Sequence, residues 1–311
     1  MKTILNDISK FYKRLDCISQ LLLIIIVILL IVHVYRIMTP IKETFIEEGE
    51  KFIVHKGPDI YDKFYTSIYD DLLYSRVKNN FEIGQIINST EPTEQSYILD
   101  IGSGPGHHVA DLNKKKFPTI GMDSSPDMVA LANKNYPDLD FIEGDGMSSM
   151  VFPSDTFTHI LCLYFTIYYI KDKQQFLQNC YNWLMPGGYM VLHLVDRDMF
   201  DPILPAGNPL YLVSPQNHAK KRITTTNLVF DKFKYKADFK QGKNSDISTF
   251  LETFDNKDTG KIRQNEHTLY MPTQKNILAI AKNIGFILQG KIDMVSVEYE
   301  YQYLYILQKP E

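Results

Sequence analysis

Ile98-Leu99-Asp100-Ile101-Gly102-Ser103-Gly104-Pro105-Gly106 is the stretch that decides the reading of this chain. An apolar run of strand length enters a glycine-rich turn, and residues 106–116 then read as a helix. Glycine reaches positive φ at no steric cost and lets a ligand approach the backbone closely. A helix start adds unpaired N–H groups, and ligands of open α/β sheets sit at the carboxyl ends of the strands. A dinucleotide-binding turn is the natural rival, but Asp100 precedes this turn and Pro105 lies inside it.

Working outward, strand and helix patterns alternate. Strands are expected over 96–101, 118–122, 138–142, 156–164 and 189–195, with helices over 126–135 and 171–184, the latter stopped by Pro186-Gly187-Gly188. Such spacing implies a mostly parallel sheet covered on both faces. Upstream, 61–88 reads as helical, after a charged connector over 39–60. Past Asp196 the rhythm changes: 201–215 is rich in turns, 222–240 and 261–271 are strand-like, and 241–260 reads as a polar loop or long hairpin connection. A helix over 273–284 ending at Gly285 and a closing strand pair, 286–294 and 299–307, complete the pattern.

With the glycine turn comes Asp123 at the end of the second strand, followed by Ser124, Ser125 and Pro126. One carboxylate there can accept from both hydroxyls of a ribose. Over about 61–308 the chain resembles the class I S-adenosylmethionine-dependent methyltransferases. Leu99 to Gly106 looks like their first motif, which wraps the methionine portion, so the resemblance implies roles for Asp100, Gly102, Ser103, Gly104 and Gly106. It further implies Asp123 and Ser124 at the ribose and Met128 near the adenine pocket. Glu143-Gly144-Asp145-Gly146-Met147 resembles the loop after the third strand, with Asp145 accepting from the adenine amino group and Met147 packing on the ring beside Gly146. Leu161 to Tyr169, including Leu163, matches the stretch leading toward the acceptor. Leu184-Met185-Pro186-Gly187-Gly188 resembles the turn before the fifth strand. The layout, with a tyrosine-rich helix before the core and strands inserted after the fifth strand, is similar to small-molecule methyltransferases such as the sugar-amine N-methyltransferases.

The amino terminus carries a separate signal. Leu21 to Val32 is uninterruptedly apolar, and 19–38 is long enough as a helix to cross a bilayer. No small-x-small cleavage pattern follows Val32. The expectation is an α/β fold: a seven-stranded Rossmann-like methyltransferase sheet with helices on both faces, an inserted β-rich cap and an N-terminal transmembrane helix. The expected segments are a tail over 1–18, an anchor over 19–38, a connector over 39–60, a cofactor-binding core over 61–200, a cap over 201–271 and a completion of the core over 272–311. Localisation is expected to be single-pass membrane, with the catalytic domain on the cytoplasmic side. Lys2, Lys10, Lys13 and Arg14 before the span argue weakly for the opposite orientation. The bilayer and a small-molecule or lipid-like acceptor are the expected partners.

A net charge of -4 gives no reason to expect nucleic acid. Cys17, Cys162 and Cys180 form neither a metal-ligand spacing nor a disulfide framework, and no metal site is expected. The expected cofactor is S-adenosylmethionine. Methyl transfer is an in-line displacement that requires alignment of donor and nucleophile, with a base only if the acceptor must lose a proton. Tyr61, Tyr65 and Tyr69 are placed to close over the site, with Tyr65 taken as a cofactor contact. His193, Asp196 and Tyr168 are the catalytic candidates, while Tyr164, Tyr169, Glu266 and His267 approach from the acceptor side. Another nucleotide-dependent enzyme, or a non-catalytic membrane-tethered scaffold of the same fold, are the alternatives.

Overall fold

The computed structural model describes residues 19, 20, 26, 28, 30, 52–202, 222–242 and 245–311. The chain divides into two units, Met1–Thr44 and Phe45–Glu311, and the second holds everything that follows.

Its main sheet has seven strands, in the order β11-β12-β6-β5-β2-β3-β4. Five run in parallel: β2 (Ile98–Ile101), β3 (Thr119–Asp123), β4 (Phe141–Glu143), β5 (Phe157–Cys162) and β6 (Leu184–Val195). The hairpin of β11 (Ile287–Asp293) and β12 (Gln302–Gln308) closes one edge antiparallel to β6. Ile98, Leu99, Asp100 and Ile101 are all buried, as a central strand covered on both faces requires. One face is covered by α6 (Lys173–Trp183) and α7 (Gln274–Ile284), through Phe176, Leu177, Trp183 and Ile277. The other face meets α2 (Arg76–Thr90) and α3 (His107–Lys114), through Ile83, Ile86 and Leu112. The helix α4 (Pro126–Asn135) starts on a Ser125 cap whose side chain accepts from the Met128 N–H, with proline in the first turn, and the short α5 (Thr166–Tyr169) follows β5.

A second, five-stranded sheet runs β1-β10-β9-β8-β7. It comprises β1 (Phe52–Lys56), β7 (Thr225–Val229), β8 (Phe233–Gln241), β9 (Ile247–Asn256) and β10 (Ile262–Tyr270). The long helical stretch expected over 61–88 is two helices, α1 (Lys63–Leu73) and α2, separated where Ser75 caps the second. The apolar stripe of α1 packs on the second sheet: Phe64, Tyr65, Ile68 and Leu72 lie against Phe233, Tyr235 and Phe254. Arg263 of β10 fastens the start of α1, donating to Asp62 Oδ2 at 2.7 Å and to the Ile60 carbonyl at 2.9 Å.

Several expectations change. The polar stretch over 241–260 contains β9, a central strand. Its period-2 alternation puts Ser248, Glu252, Phe254 and Asn256 inside, so polar residues occupy the inward positions and mask the strand signal. The connector contributes β1, paired in parallel with β10. β6 begins at Leu184 and runs through Pro186-Gly187-Gly188, because Leu184 already pairs with Phe157. The expected membrane anchor is also corrected. No helix among the described residues is long and apolar enough to cross a membrane, and most of 19–38, like most of 201–215, lies outside the described residues. With the anchor go the membrane partner, the lipid-like acceptor and the single-pass localisation that rested on it.

Candidate active site

The glycine turn lies at the carboxyl end of β2. Gly102, Gly104 and Gly106 all adopt positive φ, at 73°, 51° and 89°. The N–H groups of Gly102 and Ser103 donate to the Met122 carbonyl at 2.7 and 3.1 Å, which ties the turn to β3. A side chain at Gly102 would run into Thr166, and one at Gly106 into the Phe141 ring, whereas the nearest atom to a Cβ at Gly104 would be on Tyr69, 3.9 Å away. Gly104 is therefore the open member of the turn, where a ligand can approach the backbone.

Asp123 ends β3 beside this opening. Its Oδ2 accepts from the Gly104 N–H and its Oδ1 from the Ser125 N–H, both at 2.9 Å. Burial raises its pKa, against the pull of the backbone N–H groups of Ser125, Gly104 and Ser124. Asp145, after β4, accepts from the Met147 N–H at 2.9 Å, and Asn179 holds the Gly146 carbonyl from α6.

These groups face a cavity of about 740 Å³. Its core side is lined by Gly102, Gly104, Asp123, Ser124, Met128 and Gly144 to Met147. Tyr61, Tyr65 and Tyr69 enter from α1 and the turn before it. Tyr164, Phe165, Thr166 and Tyr169 follow β5, and Phe239, Phe250, His267 and Leu269 come from the second sheet. Tyr164 has a positive φ of 51°, a costly conformation for a bulky residue and of a kind that clusters at functional sites. Of the expected cofactor contacts, Tyr65, Gly102, Gly104, Asp123, Ser124, Met128, Asp145, Gly146 and Met147 line this cavity. Asp100, Ser103 and Leu163 line a smaller one of about 90 Å³, which shares Tyr69, Leu73, Gly102, Gly104 and Tyr164 with the first. Gly106 lines neither and packs against Phe141 and Tyr136.

The smaller cavity holds a charge cluster that the sequence pattern does not reveal. Lys78 Nζ lies 2.6 Å from Glu82 Oε1, and His108 Nε2 lies 3.0 Å from Glu82 Oε2. Glu82 is fully buried; burial works against its charge, but Lys78 and His108 outweigh it and hold the pKa near 2. Asp100 is 2% exposed and its Oδ2 has no hydrogen-bond partner. Burial raises its pKa to about 6, with Glu82 and Asp123 adding to the effect and His108 and Lys78 opposing it. A lysine and a glutamate four apart on a helix read as a solvated pair, which is why these two escape notice.

The catalytic candidates are placed elsewhere. Tyr168 is fully buried, and its hydroxyl accepts from the Val195 N–H at 2.8 Å. His193 is also fully buried, with Nδ1 2.8 Å from the Tyr164 carbonyl; burial and then Lys78 lower its pKa to about 4. Asp196 accepts from the Asp198 N–H in a turn. None of the three is among the residues lining either cavity. On the acceptor side, Glu266 turns outward to Lys56 at 2.8 Å, whereas His267 points inward. Its Nδ1 is 2.8 Å from the Tyr169 hydroxyl and its Nε2 2.7 Å from Glu252 Oε2. Glu252, on the strand read as a loop, is the missing member of that set.

A cradle of positive-φ glycines, an acid at the end of the neighbouring strand and a cavity along the carboxyl edge of a seven-stranded sheet together define the class I S-adenosylmethionine-dependent methyltransferase fold, and this chain has it. Residues 98–188 match the family described as "Methyltransferase domain". The demethylmenaquinone methyltransferase of Chlorobaculum parvum is 30% identical over 130 residues, covering 41% of this chain and 51% of that protein. The dTDP-3-amino-3,4,6-trideoxy-alpha-D-glucopyranose N,N-dimethyltransferase of Streptomyces venezuelae is 27% identical over 137 residues, 43% of this chain and 55% of that protein. The chain thus spans about half the length of these curated relatives. The structure of a sugar N-methyltransferase from a Streptoalloteichus species superposes with a TM-score of 0.57 at 16% identity, over 86% of this chain and 97% of that one.

Proposed function

We propose that this chain transfers a methyl group from S-adenosylmethionine to an amine nitrogen of a small molecule. One observation carries the reading: a single cavity joins the glycine cradle and Asp123 to a wall of aromatic side chains from α1, the segment after β5 and the second sheet.

The residues present suit the donor. Gly104 leaves its backbone open, and Asp100 has a buried carboxylate oxygen without a partner. Asp123 has its two oxygens fixed by backbone N–H groups, with lone pairs left for a sugar diol. When bound, the donor supplies an electrophilic methyl group on a sulfonium. Asp100 and the glycine turn would hold its methionine end, Asp123 and Ser124 its ribose, and Asp145, Met128 and Met147 its adenine. The chain contributes alignment and exclusion of water.

The acceptor side suits a cation. Tyr61, Tyr65, Tyr69, Tyr164 and Tyr169 present aromatic surface, which attracts ammonium groups. Besides Asp123 and Asp145, which are given to the donor, Asp172 and Asp201 line the same cavity, against Lys171 as the lysine there, so its field favours positive ligands. The sugar amine named for the Streptomyces venezuelae relative is of this chemical type.

The test has two stages. Calorimetry on the full chain is expected to show S-adenosylmethionine binding; its absence in folded protein sinks the proposal. Labelled methyl transfer is then measured with dTDP-3-amino-3,4,6-trideoxy-glucose and with demethylmenaquinone as acceptors. Transfer to the amine is expected, and transfer to the quinone alone would remove the amine assignment while leaving the methyltransferase.

A further inference from the structure

We infer that Tyr169, His267 and Glu252 form a proton relay in which the Tyr169 hydroxyl takes a proton from the acceptor while passing its own to His267. The inference rests on the proposed methyl transfer and assigns the base that this reaction requires.

The geometry is continuous. Tyr169 Oη lies 2.8 Å from His267 Nδ1, and His267 Nε2 lies 2.7 Å from Glu252 Oε2. Glu252 and His267 are 0% and 2% exposed, whereas Tyr169 is 36% exposed and lines the large cavity. Tyr169 is therefore the accessible end of the relay, and His267 lines the cavity behind it.

The proton positions follow from the partners. Glu252 also accepts from the Tyr235 hydroxyl at 2.7 Å and the Asn265 amide at 3.2 Å, with Tyr65 a further donor. These donors, His267 foremost, lower the Glu252 pKa despite burial, so it is a carboxylate and can only accept. His267 Nε2 must then carry the hydrogen, and neutral His267 has a bare Nδ1 facing Tyr169. Tyr169 donates to it, leaving its oxygen lone pairs for Tyr61, which donates to it, and for the cavity.

In the transfer step the acceptor ammonium gives a proton to Tyr169 Oη as the Tyr169 proton moves to His267 Nδ1. The nitrogen lone pair so freed forms a bond to the methyl carbon, and the carbon–sulfur bond breaks with its electron pair going to sulfur. The step ends with a neutral thioether, a methylated ammonium, neutral Tyr169 and an imidazolium paired with Glu252. A buried carboxylate against the far nitrogen stabilises that imidazolium, as the aspartate does in a serine–histidine–aspartate triad. Burial raises the Tyr169 pKa, which makes a free tyrosinate costly and a concerted handover the accessible route.

The experiment uses the full chain with 15N-labelled histidine and assigns His267 among the eight histidines by its loss in His267→Gln. The expected 15N spectrum shows His267 protonated at Nε2 and accepting at Nδ1. Tyr169→Phe should shift the Nδ1 signal, and Glu252→Gln should move the proton to Nδ1. A proton on Nδ1 in the unaltered protein, or an Nδ1 signal unmoved by Tyr169→Phe, overturns the relay. With dTDP-3-amino-3,4,6-trideoxy-glucose as the amine, Tyr169→Phe is expected to lower kcat by about 10²–10³-fold, the scale of general base catalysis. KM and donor Kd should stay within about threefold, and a kcat within threefold of the unaltered protein would overturn the proposal. If the donor binds but that amine is not methylated, the amine assignment fails, and the 15N result still decides the relay.

Discussion

Asp100→Asn should stabilise the unliganded protein at pH 7.5 while weakening its grip on the donor. Asp100 sits in the central strand with an unpartnered Oδ2, and burial lifts its pKa from an ordinary 3.8 to about 6. Between pH 4 and 6 the folded protein therefore keeps a proton that the unfolded chain has lost. Stability falls as pH rises through that window and stays reduced above it. A displacement of about two pH units, at about 1.4 kcal/mol each, corresponds to roughly 3 kcal/mol at neutral pH. Asparagine has the same shape without the charge and should recover about 2–3 kcal/mol at pH 7.5. The advantage should shrink as pH falls toward 4, where the unaltered Asp100 is itself protonated in the folded state. Urea denaturation at pH 7.5 and pH 4.5 reads this directly: with an m value of about 2–3 kcal/mol/M, the midpoint should rise by about 1 M at the higher pH. Calorimetry should show the opposite for function. Loss of a charged hydrogen-bond partner for the donor's ammonium costs about 1.5–3 kcal/mol, or about 10–100-fold in Kd. A variant no more stable at pH 7.5, or one whose advantage persists undiminished at pH 4.5, would refute the reasoning.

Three other perturbations test separate parts of the site. Asp123→Asn removes a charged acceptor shared by the Gly104 and Ser125 N–H groups and should weaken donor binding about 10–100-fold with the circular dichroism spectrum kept. Gly106→Ala puts a Cβ at φ 89° and 2.6 Å from the Phe141 ring. Left-handed strain and overpacking together should cost about 2–4 kcal/mol, read as a lower Tm. Lys78→Met leaves the fully buried Glu82 with His108 alone as its basic partner and should cost about 3 kcal/mol at pH 7, the low end for a broken buried pair. Because the folded Glu82 pKa is depressed to about 2, the pair's contribution is present above the unfolded value of about 4.3 and lost as pH falls toward 2. Denaturation curves for Lys78→Met and the unaltered protein should therefore converge on acidification.

The nucleotide-type half of the site was readable because its parts are local. A strand of four buried residues, three glycines at positive φ and an acid at the end of the next strand lie within 26 residues, Ile98 to Asp123. Hydrophobic period and glycine conformation are properties of short windows, so the sheet, the cradle and Asp123 follow from residues next to one another. The hydrophobic stretch near the amino terminus shows the converse limit: apolarity over 19–38 speaks for burial somewhere, and it did not supply a membrane span among the described helices.

The half proposed for the acceptor depended on folding. Tyr169 and His267 are 98 positions apart, and Glu252 lies 15 before His267 on a strand whose inward residues are polar. Their shared hydrogen bonds exist because α1 fastens the second sheet through Arg263 and Asp62 and turns its inner face toward the cavity. Likewise His193 and Tyr168, attractive as residue types, are enclosed in the core, while Lys78 and Glu82, unremarkable on a helix, become a buried pair beside Asp100. Local pattern dictates which backbone a segment adopts. Burial and the pairing of distant polar groups arise only when whole layers pack, and those two quantities govern which side chains can meet a ligand or move a proton.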